Sequence, residues 1–215
     1  MRIRWFGQSA FSLEHDGTTV FIDPFGDMSG AAARGLQFDY APIEDVSAQL
    51  LLVTHEHGDH NGVDAIGGDP KVIRSTAGTF DDVVAIASEH DDVAGTKRGP
   101  NTIFSFELGG ARICHLGDFG QPALRPEQRA AIGDVDVLFV PIGGGPTIGG
   151  APAAELVREL APRLVVPMHY RTSAVNFLDP PDEFLAALGA DAQRLEGSEL
   201  VAEEHSGVVL PAPPV

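Results

Sequence analysis

Short apolar runs separated by turn-forming residues organise most of this chain. Residues 2–5, Ala10–His15 and Thr18–Ile22 are apolar or alternating over strand lengths, and His15-Asp16-Gly17 between the last two predicts a hairpin turn. Residues 26–41 (GDMSGAAARGLQFDYA) are small and turn-forming without a period, which reads as a long loop. Leu50–Val53 predicts a buried strand, 61–66 a short helix and Lys71–Arg74 another strand. Strand-like stretches follow at 83–87, 102–108, 111–116 and 135–142. Apolar positions at helical spacing predict a helix over 151–160, with Pro152 near its start. A strand over 163–168, a helix over Asp182–Leu188 ended by Gly189, and a last strand over 208–210 complete the pattern. No linker, low-complexity segment or fixed-period repeat interrupts it, so a single domain over 1–215 is expected. Strands come first in runs and then alternate with helices. That order predicts an α/β fold of sheets covered by helices rather than a doubly wound parallel sheet.

Several apolar runs end abruptly in a residue able to bind metal. LLLVT runs into His55, VVAIASE into His90, ARICHLG into Asp118 and RLVVPM into His169; a fifth, VLFVPI, runs into the loop Gly143-Gly144-Gly145. Ligands collect beyond the carboxyl ends of strands in α/β sheets, so these side chains are expected to converge. The densest group is HEHGDH, where His55 and His57 can share one centre while Asp59 and His60 face a second. His90 and His169 are available as third ligands, and Asp118 could bridge the pair with its two oxygens. Imidazole with carboxylate suits zinc and its first-row neighbours, manganese and iron included, better than calcium. Two such ions ~3.5–4 Å apart would polarise a substrate oxygen and hold a bridging hydroxide as nucleophile. Asp59 would orient that nucleophile and accept its proton, the one catalytic role assigned beyond metal binding. No G-x-S-x-G is present to offer a serine alternative. Glu56 does not make this a H-E-x-x-H protease, because the next histidine falls at i+2 and in a loop.

Other readings of single residues stay open at this level. His90 lies in SEHDD, which also suits an exposed acidic turn; His169 could be a core histidine, and Asp118 in LGDFG a turn residue or helix cap. His115 is out of phase with Asp118 along its strand and is not expected to be a ligand. Asp23, before Pro24, could start a turn, although a buried carboxylate that orients a metal-bound imidazole is favoured. Gly144 and Thr147 could let a substrate approach the backbone, and Arg171 could bind an anionic group as readily as form a surface ion pair. Lys97 and Arg98 form the other basic spot near an expected ligand.

Composition narrows the partners. The chain holds 31 acidic residues against 14 Lys+Arg, a net charge of −17, with 43% apolar and 21% charged residues. Such a charge repels phosphate backbones and anionic membrane surfaces, so a small-molecule substrate is expected rather than nucleic acid or a membrane. Oligomeric state leaves no trace in the pattern. The opening MRIRWFGQSAF has no signal-peptide character, and the single Cys114 excludes an intrachain disulfide, so a cytoplasmic setting is expected.

The motifs resemble the metallo-β-lactamase superfamily, whose H-x-H-x-D-H signature is present in full as His55, His57, Asp59 and His60. FIDPF at 21–25, HLGD at 115–118 and VPMHYRT at 166–172 are similar to its other conserved segments, and RGPNTIF at 98–104 adds a likeness to the branch of small hydrolases similar to L-ascorbate-6-phosphate lactonase. N-acylphosphatidylethanolamine phospholipase D belongs to the same wider group. The resemblance implies an αββα sandwich with two divalent metals, zinc first, at one edge. It implies His55, His57 and His90 on one metal, Asp59, His60 and His169 on the other, and Asp118 between them. Gly7-Gln8 departs from the Gly-His pair common in such relatives. The expected reaction is hydrolysis of an ester, lactone or phosphodiester of a small anionic substrate. An iron-dependent oxidoreductase on the same fold and a metal-stabilised non-enzymatic protein are the alternatives.

Overall fold

The computed structural model describes residues 1–214. Strands β1 (Arg2–Gly7), β2 (Ala10–His15) and β3 (Thr18–Ile22) form an antiparallel meander. Asp16 and Gly17 turn between β2 and β3 with φ of 46° and 78°, the positive values that a tight two-residue hairpin needs. The chain then passes through a 3-10 turn, η1 (Ser29–Arg34), to β4 (Val46–Ser47), β5 (Leu50–Val53), the 3-10 turn η2 (Val63–Ala65), β6 (Ile66–Gly67) and β7 (Lys71–Arg74). Next come β8 (Gly78–Phe80), β9 (Val83–Glu89), β10 (Pro100–Leu108), β11 (Ala111–His115), helix α1 (Pro126–Ile132) and β12 (Val137–Pro141). The last part comprises α2 (Gly150–Leu160), β13 (Leu164–Met168), α3 (Asp182–Leu188), β14 (Ala192–Arg194), β15 (Glu199–Val201), the 3-10 turn η3 (Ala202–Glu204) and β16 (Gly207–Leu210).

Two main sheets result, ordered β15-β1-β2-β3-β5-β7 and β14-β16-β13-β12-β11-β10-β9-β8; β4 and β6 pair separately. Their facing surfaces share one core, built from alternate residues such as Trp5, Phe11, Leu13, Ile22 and Leu52 on one side and Phe104, Phe139 and Val166 on the other. Every residue of β12 and β13 is buried, as parallel strands covered on both faces require. Helix α2 packs on β12 and α3, and α1 lies against β9 and β10. The opposite face of the first sheet, with Phe6, Phe21 and Leu51, is covered by loop residues Phe25, Tyr40, Val175 and Leu178, not by helices. A bridge between Phe38 and Val175 ties the 26–41 segment to the chain just beyond His169.

Three differences from the sequence pattern have physical causes. The helix expected over 61–66 is only η2: Gly62 provides no side-chain cap, and Ile66 turns extended to pair with β4. Helix α1 was not apparent because it buries only Ile132 and the polar Gln128, which satisfies itself on Ala87 O (2.8 Å) and Gln121 Oε1 (3.0 Å). In place of a featureless loop, 26–41 holds η1, which Gly35 closes with φ 74°.

Candidate metal centre

Strand β5 is buried between β3 and β7, and at its end Thr54 passes the chain into the loop of His55, His57, Asp59 and His60. That loop is a tight turn in which the His60 and Asn61 amides donate to His57 O (2.9 and 3.1 Å). It docks on the segment after β3 through Gly62 N to Pro24 O (2.7 Å) and Gly26 N to Gly58 O (3.0 Å). His90 follows β9 directly, Asp118 lies just beyond β11, and His169 follows β13. Asp118 is held from behind by Asn101, whose Oδ1 accepts the Asp118 amide (3.0 Å). Gly117 turns there with φ 59°, and a Cβ at that position would overlap the Asn101 and Thr54 side chains.

Three groups of potential ligands form, with the ligating atoms in each group within 4.8 Å of one another: His55, His57 and His90; Asp59, His60 and His169; and His55, His60 and Asp118. Asp118 Oδ2 lies 3.1 Å from His90 Nε2, 3.3 Å from His60 Nε2 and His169 Nε2, and 3.9 Å from His55 Nε2. Asp59 Oδ2 is 3.6 Å from His60 Nε2 and 4.0 Å from His169 Nε2. All of these residues are buried except Asp59, which is half-buried, and His57, which is exposed.

One carboxylate orients two of the imidazoles. Buried Asp23 accepts the Thr54 amide (2.7 Å), the Thr54 hydroxyl (2.7 Å) and His60 Nδ1–H (2.9 Å). Because the Thr54 proton goes to Asp23, its oxygen accepts from His55 Nδ1 (3.0 Å). Both rings therefore turn Nε2 toward the cluster, the arrangement that metal-binding histidines adopt. His90 does the same by donating Nδ1–H to Pro146 O (2.9 Å). His115 has neither ring nitrogen to spare: Nε2 donates to Ser9 O (3.1 Å), and Nδ1 accepts the Gly117 amide (3.1 Å).

The electrostatics match a cluster built around positive charge. Burial would raise the Asp118 carboxyl, but the neighbouring His169, His60 and His90 imidazoles hold it well below the carboxylate range. Burial disfavours a charged His60, yet Asp118, Asp59 and Asp23 raise its pKa well above the ordinary imidazole value. His55 and His169 are lowered chiefly by burial, and His57 is lowered by partial desolvation beside the cluster and by the nearby His90. Even so, His60 Nε2 is buried without a hydrogen-bond partner among the described residues, and so is Gln8 Oε1. A nitrogen-and-oxygen donor set with an orphaned, inward-facing imidazole nitrogen fits a divalent first-row cation.

A cavity of about 450 Å³ opens over the cluster, lined by His57, Asp59, His90, Asp118 and His169. Gly145 and Pro146 border it, whereas Gly144 faces Asp179 and Thr147 spends its hydroxyl on Ile148 O (3.2 Å) and Gly144 O (3.4 Å). Arg171 does not line it; its Nε donates to Leu178 O (2.6 Å). The arginines on the lining are Arg98 and Arg34. Only Arg98 was marked by its nearness to an expected ligand. Arg34, Thr54 and Asn101 carry no such sign in the sequence, although Asn101 sits within RGPNTIF.

A two-sheet fold with a histidine-aspartate cluster at the carboxyl ends of its strands defines a class of metal-binding proteins. The family model described as the beta-lactamase superfamily domain matches residues 2–169, and the chain belongs to the metallo-β-lactamase superfamily. It is 33% identical to a UPF0173 metal-dependent hydrolase of Thermococcus kodakarensis, covering 90% of this chain and 94% of that one. A UPF0173 metal-dependent hydrolase of Methylobacterium nodulans is 32% identical over 99% of this chain and 100% of that one. Among solved structures, a Thermotoga maritima protein assigned to the Zn-dependent hydrolases of the superfamily matches with a TM-score of 0.76 and 33% identity, covering 97% of each chain. No helix among the described residues is long and apolar enough to cross a membrane.

Proposed function

We propose that this chain is a metal-dependent hydrolase with a binuclear centre, acting on an ester, lactone or phosphodiester of a small anionic substrate. The observation that carries this reading is the overlap of the ligand groups through one buried carboxylate: Asp118 Oδ2 faces the two histidine sets at once. His55, His57 and His90 would hold one ion, Asp59, His60 and His169 the other, and Asp118 would contact both. Two divalent cations, zinc by donor type, would there supply Lewis-acid polarisation of the scissile carbonyl or phosphoryl group and acidify water at neutral pH. Asp59 is suited to take up a proton, because its carboxylate borders the cavity and remains half-exposed. Gln8 Nε2 donates to Asp59 Oδ2 (3.3 Å) and limits its rotation. Asp23, through Thr54 and His60, keeps two ring nitrogens aimed inward.

Elemental analysis of protein purified without chelator or histidine tag, followed by assays on lactones, aryl esters and phosphodiesters, tests the reading. Near two zinc or manganese per chain with hydrolysis is expected. One metal at most, with no uptake of a second on reconstitution, removes the binuclear centre. Iron with oxygen-dependent turnover replaces hydrolysis by redox chemistry.

A further inference from the structure

We infer that Arg34 and Arg98 grip an anionic head group on the substrate, a carboxylate or a phosphate remote from the scissile bond; this rests on the hydrolase reading above. Both arginines line the cavity that exposes the histidine cluster. Neither has a carboxylate within 4.0 Å among the described residues, in a chain with 31 acids for 14 basic residues. Most other arginines are engaged elsewhere: Arg74 with Glu56, Arg112 with Glu107 and Arg125 with Glu89, while Arg129, Arg163 and Arg171 donate to backbone carbonyls. Arg2 and Arg194 are also free among the described residues but border other cavities, away from the cluster. Two unpaired guanidiniums at one cavity rim, amid so many acids, form the local reversal of charge that an anion would need in order to approach.

The placement of Arg98 is built into its loop. The buried Asp91 carboxylate accepts the amides of Val93 (3.0 Å), Gly95 (2.7 Å), Lys97 (2.9 Å) and Arg98 (2.8 Å). His90 N donates to Gly99 O (3.1 Å), so a metal-ligand candidate and the arginine are the two ends of one stapled loop. Arg34 ends η1 on the other segment that borders the cavity. The same cavity is also lined by the apolar Met28, Ala31, Leu36 and Phe177. A substrate with a short hydrocarbon body, its reacting bond at the cluster and its charge at the arginines would match this lining. A guanidinium binds carboxylate or phosphate through two parallel hydrogen bonds, which an amide side chain cannot reproduce.

The first measurement uses metal-loaded protein and three 4-nitrophenyl esters: the neutral acetate, the half-ester of succinate and the ester of phosphonoacetate. We expect kcat/KM to favour the charged esters, and the ratio of charged to neutral to fall about tenfold or more in R34Q and in R98Q, with partial recovery in R34K and R98K. An unchanged ratio overturns the inference. Whichever charged ester loses more identifies the head group as carboxylate or phosphate.

Calorimetric titration of metal-free protein with benzoate and phenylphosphonate reads the grip without turnover. Binding weakened about tenfold or more in R98Q supports the inference. No binding, or equal binding in wild type and variant, overturns it. Anion binding that depends on the arginines, without cleavage of any ester, would retain the grip and count against ester hydrolysis instead. Both side chains are exposed, so substitution leaves the core intact.

Discussion

Asp23→Asn is the sharpest perturbation of this centre, because it changes one atom and removes a charge that three donors share. In the wild type Oδ1 takes the Thr54 amide, and Oδ2 takes both the Thr54 hydroxyl and His60 Nδ1–H. Asparagine can keep its oxygen on only one side, so an NH2 group faces a donor on the other. The site is fully buried, and water cannot repair the mismatch. Breaking a buried charged network of this kind costs roughly 3–5 kcal/mol. For a chain of this length each kcal/mol moves the midpoint by about 2–4 °C, so Tm of the metal-free protein should fall by roughly 6–20 °C. Loss of ring orientation at His55 and His60 should weaken metal binding by about 10–100-fold. Thermal melting followed by circular dichroism reads the first effect, and competition against a chromophoric chelator reads the second. A Tm within ~2 °C of wild type, together with wild-type metal affinity, would refute the relay from Asp23 through Thr54 to the imidazoles. A large fall in Tm with unchanged affinity would leave Asp23 holding the loop but not the ligands.

Metal loading should release protons, because Asp118, Asp59 and Asp23 favour a charged His60 in the metal-free cluster while burial disfavours charge on His55 and His169. About one proton is expected from His60 at pH 7, read from calorimetry in buffers of different ionisation heat; zero release means that His60 is not displaced. Metal-free protein should also lose stability as pH falls from about 6.5 toward 5. His55, His57, His115 and His169 have folded pKa values below the unfolded one, so the unfolded chain binds more protons in that window. His60 works in the opposite sense, stabilising below about 6.5 and losing its contribution as pH rises through its raised value, but it is one group against four. A Tm that rises on acidification over this window would contradict the assignment. Finally, Cys114 is fully buried and its thiol is pushed up by burial, so an aromatic disulfide reagent should label it only as fast as the protein unfolds. Rapid labelling of native protein would show that β11 opens locally.

Legibility from sequence followed the kind of interaction involved. Runs such as Leu50–Val53 and Leu164–Met168 advertise buried parallel strands by composition, and their ends mark the sheet edge where His55 and His169 emerge. Groups that act through geometry left weaker signs. Gln128 is buried and polar, so α1 shows no apolar stripe. Arg171, two residues beyond His169, was as near in sequence as any basic group, but the chain turns there: its amide pairs with Asp179 O (2.9 Å) and its guanidinium is drawn to Leu178 O. Arg34 reaches the cavity from a segment without periodicity, where no local pattern tells which side chain faces inward.

The backbone itself carries a further sign of the site. Of the ten non-glycine residues with positive φ among the described residues, three border the cluster: Gln8, Asp23 and His169, at 47°, 50° and 51°. Such conformations cost on the order of 1–3 kcal/mol each and persist only where the surroundings over-determine them. The bracing is visible: Gln8 O accepts both the Trp5 indole N–H (3.0 Å) and the His169 amide (3.3 Å), and Asp23 N donates to Leu52 O (2.9 Å). Trp5 in turn stacks on Tyr170, with ring centroids 5.7 Å apart, beside the same histidine. The core between the sheets thus holds three strained positions in place, and their side chains meet where the ligands converge. Rigid core packing and ligand placement are one structure here, so a substitution at Trp5 should loosen Gln8 and His169 together, not one without the other.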